Sequence, residues 1–233
     1  MASSWSLEKE LCGLAKAGTA QGALSRLGVI SRAFPDVLIK EVEDWTRAGS
    51  ETFEYRFRVV SQEGVRDVVL KAIVAFSTTR SLSEIADEWV MRRHLLESEG
   101  ISTPVLYCAE RALLMEEFVP HKLSAFLRAT PSLQNRLTDQ VIQIAAILDK
   151  LRFCPISPFG SLRTDGFSVF MVDFGQALGP PAEPVRRSGR LLREAIDWLN
   201  SCRVKGQSVD ENHAKALYRR YAGDSKHEAG RWT

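Results

Sequence analysis

Phe167-Ser-Val-Phe-Met-Val-Asp-Phe-Gly-Gln-Ala-Leu178 is the stretch on which the reading of this chain turns. Its first six residues are apolar and β-branched apart from one serine, which predicts a buried strand over Phe167–Val172. The run stops at Asp173-Phe174-Gly175. A carboxylate there either bonds the backbone of the turn that follows it or presents charge to a cation. The rest of the chain has to decide between the two.

Working outward, 233 residues suffice for one domain or one two-lobed unit with a real core. The net charge of +2 is too small to make nucleic acid or a membrane surface the main partner, so neither is expected. Cys12, Cys108, Cys154 and Cys202 are widely spread, without a CxxC pair or a neighbouring His at zinc-ligand spacing. That argues against a zinc site and fits reduced thiols. No apolar run approaches the roughly 20 residues of a membrane span, and no basic-then-apolar leader opens the chain. A cytoplasmic location is the expectation.

Residues 1–33 read as an N-terminal helical extension, with Leu7, Leu11 and Leu14 on one stripe and glycines interrupting it. A strand-rich block, 34–119, follows. Val37–Val42, Phe53–Val60 and Arg66–Phe76 predict an antiparallel meander, joined by Asp44–Thr52 and by the hairpin loop Ser61–Gly64. A helix comes next, capped by Ser81 or Ser83, with Glu84 three residues after Ser81 completing a capping box and Gly100 as its stop. Val105–Ala109 and Ala112–Val119 complete five strands with one helix inserted after the third, a small α+β arrangement. Beyond Pro120 the pattern is helical over 120–221: Leu123–Ala129, Leu133–Leu151, about Val185–Ser201 and about Asp210–Tyr221. Residues 222–233 read as a loose tail.

Within this frame Lys71 lies inside the apolar run Val68-Val-Leu-Lys-Ala-Ile-Val74. Burying an ammonium without a partner is costly, so Lys71 either points to solvent from a half-exposed sheet or pairs with nucleotide phosphates and a helix carboxylate. Glu88 is the candidate carboxylate, and Glu84, one turn earlier on the same face, competes with it. Leu113-Leu-Met-Glu-Glu-Phe-Val-Pro120 ends acidic and then turns. As a linker it would offer backbone groups at Glu116 and Phe118 to an adenine edge.

In this order the parts resemble the protein-kinase-like superfamily, and among its members the small RIO-type and aminoglycoside-phosphotransferase-like kinases. The likeness covers roughly residues 35–220 and rests on the sequential order of five loose motifs. It implies a two-lobed fold: an antiparallel five-stranded N-lobe with one helix, and a short, mainly helical C-lobe. It also implies ATP and Mg²⁺ as ligands. Gly49, Ser50 and Thr52 would cover the phosphates, Lys71 and Glu88 would form the ion pair, Glu116 and Phe118 would line the hinge, and Asp173 would hold the metal.

The pattern breaks at the catalytic loop. That family places an acid and an amide before the metal-binding strand, but here the acid's position falls at Pro155 or Ile156 and the amide's at Gly160 or Ser161. None of these side chains can accept the proton of an attacking hydroxyl and bind Mg²⁺ as the missing pair does. Asp149 and Asp165 flank the loop, the first reading as a helix-terminal charge and the second as a turn residue. The loop over the phosphates is also poor in glycine, keeping only Gly49. The expectation is therefore a nucleotide-binding, pseudokinase-like domain that acts by regulation or scaffolding. An atypical ATP-dependent phosphotransferase is the alternative, and a protein-interaction module that has lost its nucleotide is the second. In the last case the arginines of Val185–Arg193 would offer a basic face to an acidic protein partner.

Overall fold

The computed structural model describes residues 38–48, 52–61, 64–73, 81–110, 112–130, 134–153, 155–175, 178, 189–203 and 207–223. The expected N-terminal extension, Gly49, Ser50 and most of the expected tail lie outside these residues. The described chain is mixed α and β, with five helices, one five-stranded sheet and one three-stranded sheet.

Alternation and turn chemistry build the first sheet. Strands β1 (Leu38–Ala48), β2 (Thr52–Ser61) and β3 (Gly64–Ile73) form the expected antiparallel meander. Ser61 pairs directly with Gly64 across the β2–β3 connection, and this pairing fixes the register of the whole hairpin. Tyr55, Phe57 and Val59 are buried while Arg56 and Arg58 between them are half-buried, so β2 has an apolar and a polar face. One expectation needs correction. Asp44–Ala48 is strand rather than connection, because register shifts between Glu41 and Glu43 and between Glu43 and Thr46 let β1 bend and stay paired.

Helix α1 (Leu82–Ser98) follows. Its capping box forms as read: the Ser81 amide donates to Glu84 Oε2 at 2.7 Å and the Glu84 amide to Ser81 Oγ at 3.2 Å. Gly100, at φ +87°, closes the helix, with Gly100 N–H on Glu97 O and Ile101 N–H on Leu96 O. The chain then returns through β4 (Leu106–Glu110) and β5 (Leu113–Glu117), and β5 inserts beside β3 to give the order β1-β2-β3-β5-β4.

The second sheet consists of three two-residue strands, β6 (His121–Lys122), β7 (Arg163–Thr164) and β8 (Val169–Phe170). Around it lie α2 (Leu123–Ala129), α3 (Gln134–Lys150), α4 (Arg190–Ser201) and α5 (Glu211–Ala222). Val141, Ile144, Ala145 and Leu148 of α3 are buried as their helical spacing requires, and α3 packs against both α4 and α5. Asp210 caps α5, its carboxylate accepting from the amides of Asn212 and His213.

Contacts divide the chain into two compact units, Met1–His94 with Pro104–Phe118, and Leu95–Thr103 with Val119–Thr233. The passage between Phe118 and Val119 is where the composition changes from strand to helix. The last turn of α1 and the residues after it belong with the second unit, unlike the continuous 34–119 block expected. The reason is local: Ser102 bridges Phe170, Met171 N–H donates to Ser102 O at 3.0 Å, and Lys150 pairs with Glu99.

Candidate functional site

In the first unit the site is built around Lys71. The hairpin register places Glu54 directly opposite it on β2, while on β5 its opposite residue is Leu114. Glu116, two residues along β5, therefore shares Lys71's face diagonally. Lys71 is 6 % exposed, so the solvent-facing alternative for this lysine is gone. It forms an ion pair with Glu116 Oε1, and Glu54 Oε1 stands 3.7 Å away. Glu116 is 4 % exposed, and its other oxygen, Oε2, lies 3.3 Å from the guanidinium of Arg93 on α1. A buried carboxylate thus serves two buried cations, one oxygen each. Such a set is stable only while it is complete, because desolvated charges need their partners.

The two helix acids have separate roles. Glu84 belongs to the capping box, and Glu88 forms an i, i+4 pair with Arg92. Thr52 is buried at the start of β2, opposite Ile73. Of the expected hinge groups, the Phe118 amide donates to Asp67 O at 2.9 Å and so closes the sheet instead of standing open, as the neighbouring Glu117 amide does by donating to Val105 O at 2.8 Å. Glu116 contributes a side chain to the Lys71 cluster, a role the sequence reading did not assign to it. Beside it the guanidinium of Arg56 lies 3.5 Å over the centre of the Phe118 ring and bonds Asp67, which Arg58 also clamps. The Arg58 guanidinium, helped by Arg56, holds the Asp67 carboxyl below the usual range, against the opposing effect of partial burial.

In the second unit the stretch ending at Asp173 is shorter as a strand than expected. Only Val169–Phe170 pair, and Phe167 is 62 % exposed. The cause is the turn before it. Asp165 Oδ1 accepts from the amides of Phe167 and Ser168, both at 2.7 Å, and Gly166 takes φ +100°. Gln140 of α3 then holds the hairpin, its Nε2 donating to Phe167 O and its Oε1 accepting from Val169 N–H. Asp173 itself is half-buried between buried Met171 and Phe174, and its Oδ1 accepts from Gly175 N–H at 3.1 Å. Among the described residues no group of three His, Cys, Asp or Glu side chains is placed to hold a metal. A lone carboxylate fits the mode in which Mg²⁺ takes one protein oxygen and completes its shell with phosphate and water.

The loop at the position of the missing acid is held by packing and main-chain bonds. Pro155, Pro158 and Phe159 are buried, and Arg190 donates to Pro155 O at 3.1 Å. Ile156 is 75 % exposed and Ser157 sits at φ +57°. The two flanking acids are structural: Asp165 caps its turn, and Asp149 receives the hydroxyl of Tyr218 from α5. Burial pushes the Asp149 carboxyl up, against the hydrogen bonds from Tyr218 and the Gly189 amide. Asp149 is therefore more than the helix-terminal charge expected of it.

Arg93, Glu54 and Gln140 are the contributors that sequence reasoning missed. Arg93 follows Trp89 by one turn, in line with the buried stripe of α1, and that spacing was the available signal. No protein-family model matches the chain, and no curated protein matches it.

Proposed function

We propose that the chain is a kinase-like, nucleotide-binding protein of the pseudokinase kind, taking ATP with Mg²⁺ and acting through regulation or scaffolding of a protein partner. The observation that carries this reading is Lys71, buried on β3 of a β1-β2-β3-β5-β4 sheet whose inserted helix sends a charged side chain into the same ion cluster. A buried ammonium in the middle of an apolar strand answers to anionic chemistry better than to packing. On this reading Lys71 in the first unit would meet the phosphates, and Asp173 in the second is the carboxylate that would hold Mg²⁺. The exposed Ile156 and the buried Pro155 support a protein without an efficient catalytic base, since losing a positioned base typically slows transfer about 10²–10⁴-fold.

The test is a melting experiment joined to a turnover assay. ATP with Mg²⁺ at about 100 times its dissociation constant stabilises the folded state by about 2.7 kcal/mol, and Asp173→Asn loses the Mg²⁺-dependent part. Label transfer from ATP to protein or small-molecule acceptors would instead make the chain an atypical phosphotransferase. The absence of any shift in the parent protein would favour an interaction module without nucleotide. One observation favours that second reading: the polar face of the sheet is already furnished from within, with Glu116 and Glu54 beside Lys71 and Arg56 over Phe118. The basic face expected at Val185–Arg193 has less support. Arg186 and Arg187 lie outside the described residues, and Arg190 is engaged by Glu194 at 3.2 Å and by Pro155.

A further inference from the structure

Glu54 and Glu116 stand beside Lys71 on different terms. Glu54 is 3.7 Å away and its side chain is 28 % exposed, so water weakens its pull on the ammonium. Glu116 is in direct ion-pair contact, with a side chain 5 % exposed, and its attraction is screened far less. Glu116 also has a second cation, Arg93, 3.3 Å from the oxygen that Lys71 does not use. The carboxylate can lose Lys71 and still keep a charge partner. An incoming phosphate would meet Lys71 from the same polar face, and two unscreened anions beside one ammonium repel each other strongly.

We propose that Glu116 is a built-in competitor for the anionic ligand of Lys71: a nucleotide phosphate engages Lys71 only by taking the place of this carboxylate, and Arg93 is the positioning residue that retains Glu116 once it is displaced. The inference rests on the nucleotide-binding reading and adds the regulation of that site. No bond is made or broken in the exchange; one ion pair replaces another. It makes affinity depend on whatever shifts α1, which carries Arg93. It also predicts opposite signs for two substitutions that a merely structural role would move together.

The experiment measures ATP affinity of the full chain by titration calorimetry in Mg²⁺, with the parent, Glu116→Gln, Glu116→Asp and Arg93→Met. Removing the competing charge in Glu116→Gln tightens ATP binding by about tenfold or more. Glu116→Asp, whose shorter carboxylate reaches less far, falls between it and the parent and serves if the Gln variant does not fold. Arg93→Met weakens binding, because the displaced carboxylate has no second partner. A parent that binds ATP while neither Glu116 variant binds it more tightly overturns the competitor role and leaves the nucleotide reading standing. Acetylation of Lys71 by an N-hydroxysuccinimide ester, followed by mass spectrometry without nucleotide, separates the two failures. Labelling is expected to be faster in Glu116→Gln, and equal rates in the parent and the variant overturn the proposal whatever ATP does. Faster labelling with no ATP binding by any folded variant defeats the nucleotide reading and the competitor role with it.

Discussion

Lys71 on β3 is almost wholly buried and meets acidic side chains on its own face, whereas Ile156 in the second unit is mostly exposed, in a loop with no acid or amide side chain from Leu151 to Arg163. The first region depends on side-chain identity. Lys71, Glu116 and Arg93 are desolvated together, and Glu116 is the anion the two cations share. The second depends on backbone shape. Its geometry comes from buried Pro155, Pro158 and Phe159, from the αL turn at Ser157, and from Arg190 on the Pro155 carbonyl. Charge is fixed as a set where it is buried. A loop held by its main chain is free in the side chains it exposes.

The largest effect expected from this contrast is on the buried side. Glu116→Ala leaves two buried cations without their shared anion and should cost about 3–5 kcal/mol of stability, read by urea denaturation. A cost under about 1 kcal/mol would mean that Glu54 and water replace Glu116 and that the cluster is not a set. In the second unit Asp165→Ala removes one acceptor from two amides in an exposed turn. Water can satisfy those amides, so the loss should be about 1 kcal/mol.

The pH dependences should differ in sign. Asp67 has a folded pKa held below its unfolded value of about 3.9. Its contribution is therefore complete above that value and lost as pH falls through the folded pKa. Asp67→Asn should be less stable than the parent at neutral pH, with the gap closing in acid. Asp149 has a folded pKa raised by burial, so the native state binds the extra proton, and the parent loses stability as pH rises from about 4 through the folded pKa. Asp149→Asn keeps an oxygen for the Tyr218 hydroxyl and should gain on the parent over that same rise. Parallel stability–pH curves for the two variants would break the distinction between the regions. The smallest effect belongs to Ile156→Asp, expected within about 0.5 kcal/mol of the parent, because the side chain is exposed and the loop is held elsewhere.

Much of the fold was legible where an element carried its own punctuation. Ser81 and Glu84 bracket the start of α1, Gly100 its end, and Asp210 the start of α5, and all three act as local chemistry requires. The strands of the first sheet were legible from alternation, and even the Glu54–Lys71 pairing follows once Ser61 and Gly64 are paired. The extra length of β1 was not, because it depends on bulges that no local signal announces. The exposed place of Phe167 was hidden for a related reason: Asp165 and Gln140 bond the backbone there, and composition alone reads the segment as strand.

The site was legible in part. Lys71 stood out as a charge in an apolar run, and its burial follows from that position. Its contact with Glu116 was hidden because it is a diagonal across two strands separated in sequence by a helix, and only the β3–β5 register brings them together. Arg93 was hidden behind its neighbour Arg92, which pairs along the helix with Glu88. The acids expected to serve the lysine were chosen on α1 by sequence order, and the β3–β5 register adds Glu116 to its partners.

The central proposal is that this chain binds ATP through Lys71, with an affinity that depends on Mg²⁺ and on Asp173. Titration calorimetry of ATP into the parent and into Asp173→Asn, each in Mg²⁺ and in EDTA, tests it most directly. The account predicts saturable binding by the parent that weakens when Mg²⁺ is removed, and weaker binding by Asp173→Asn that no longer responds to Mg²⁺. No heat of binding from the folded parent, or binding that Asp173→Asn leaves unchanged in both conditions, would contradict it.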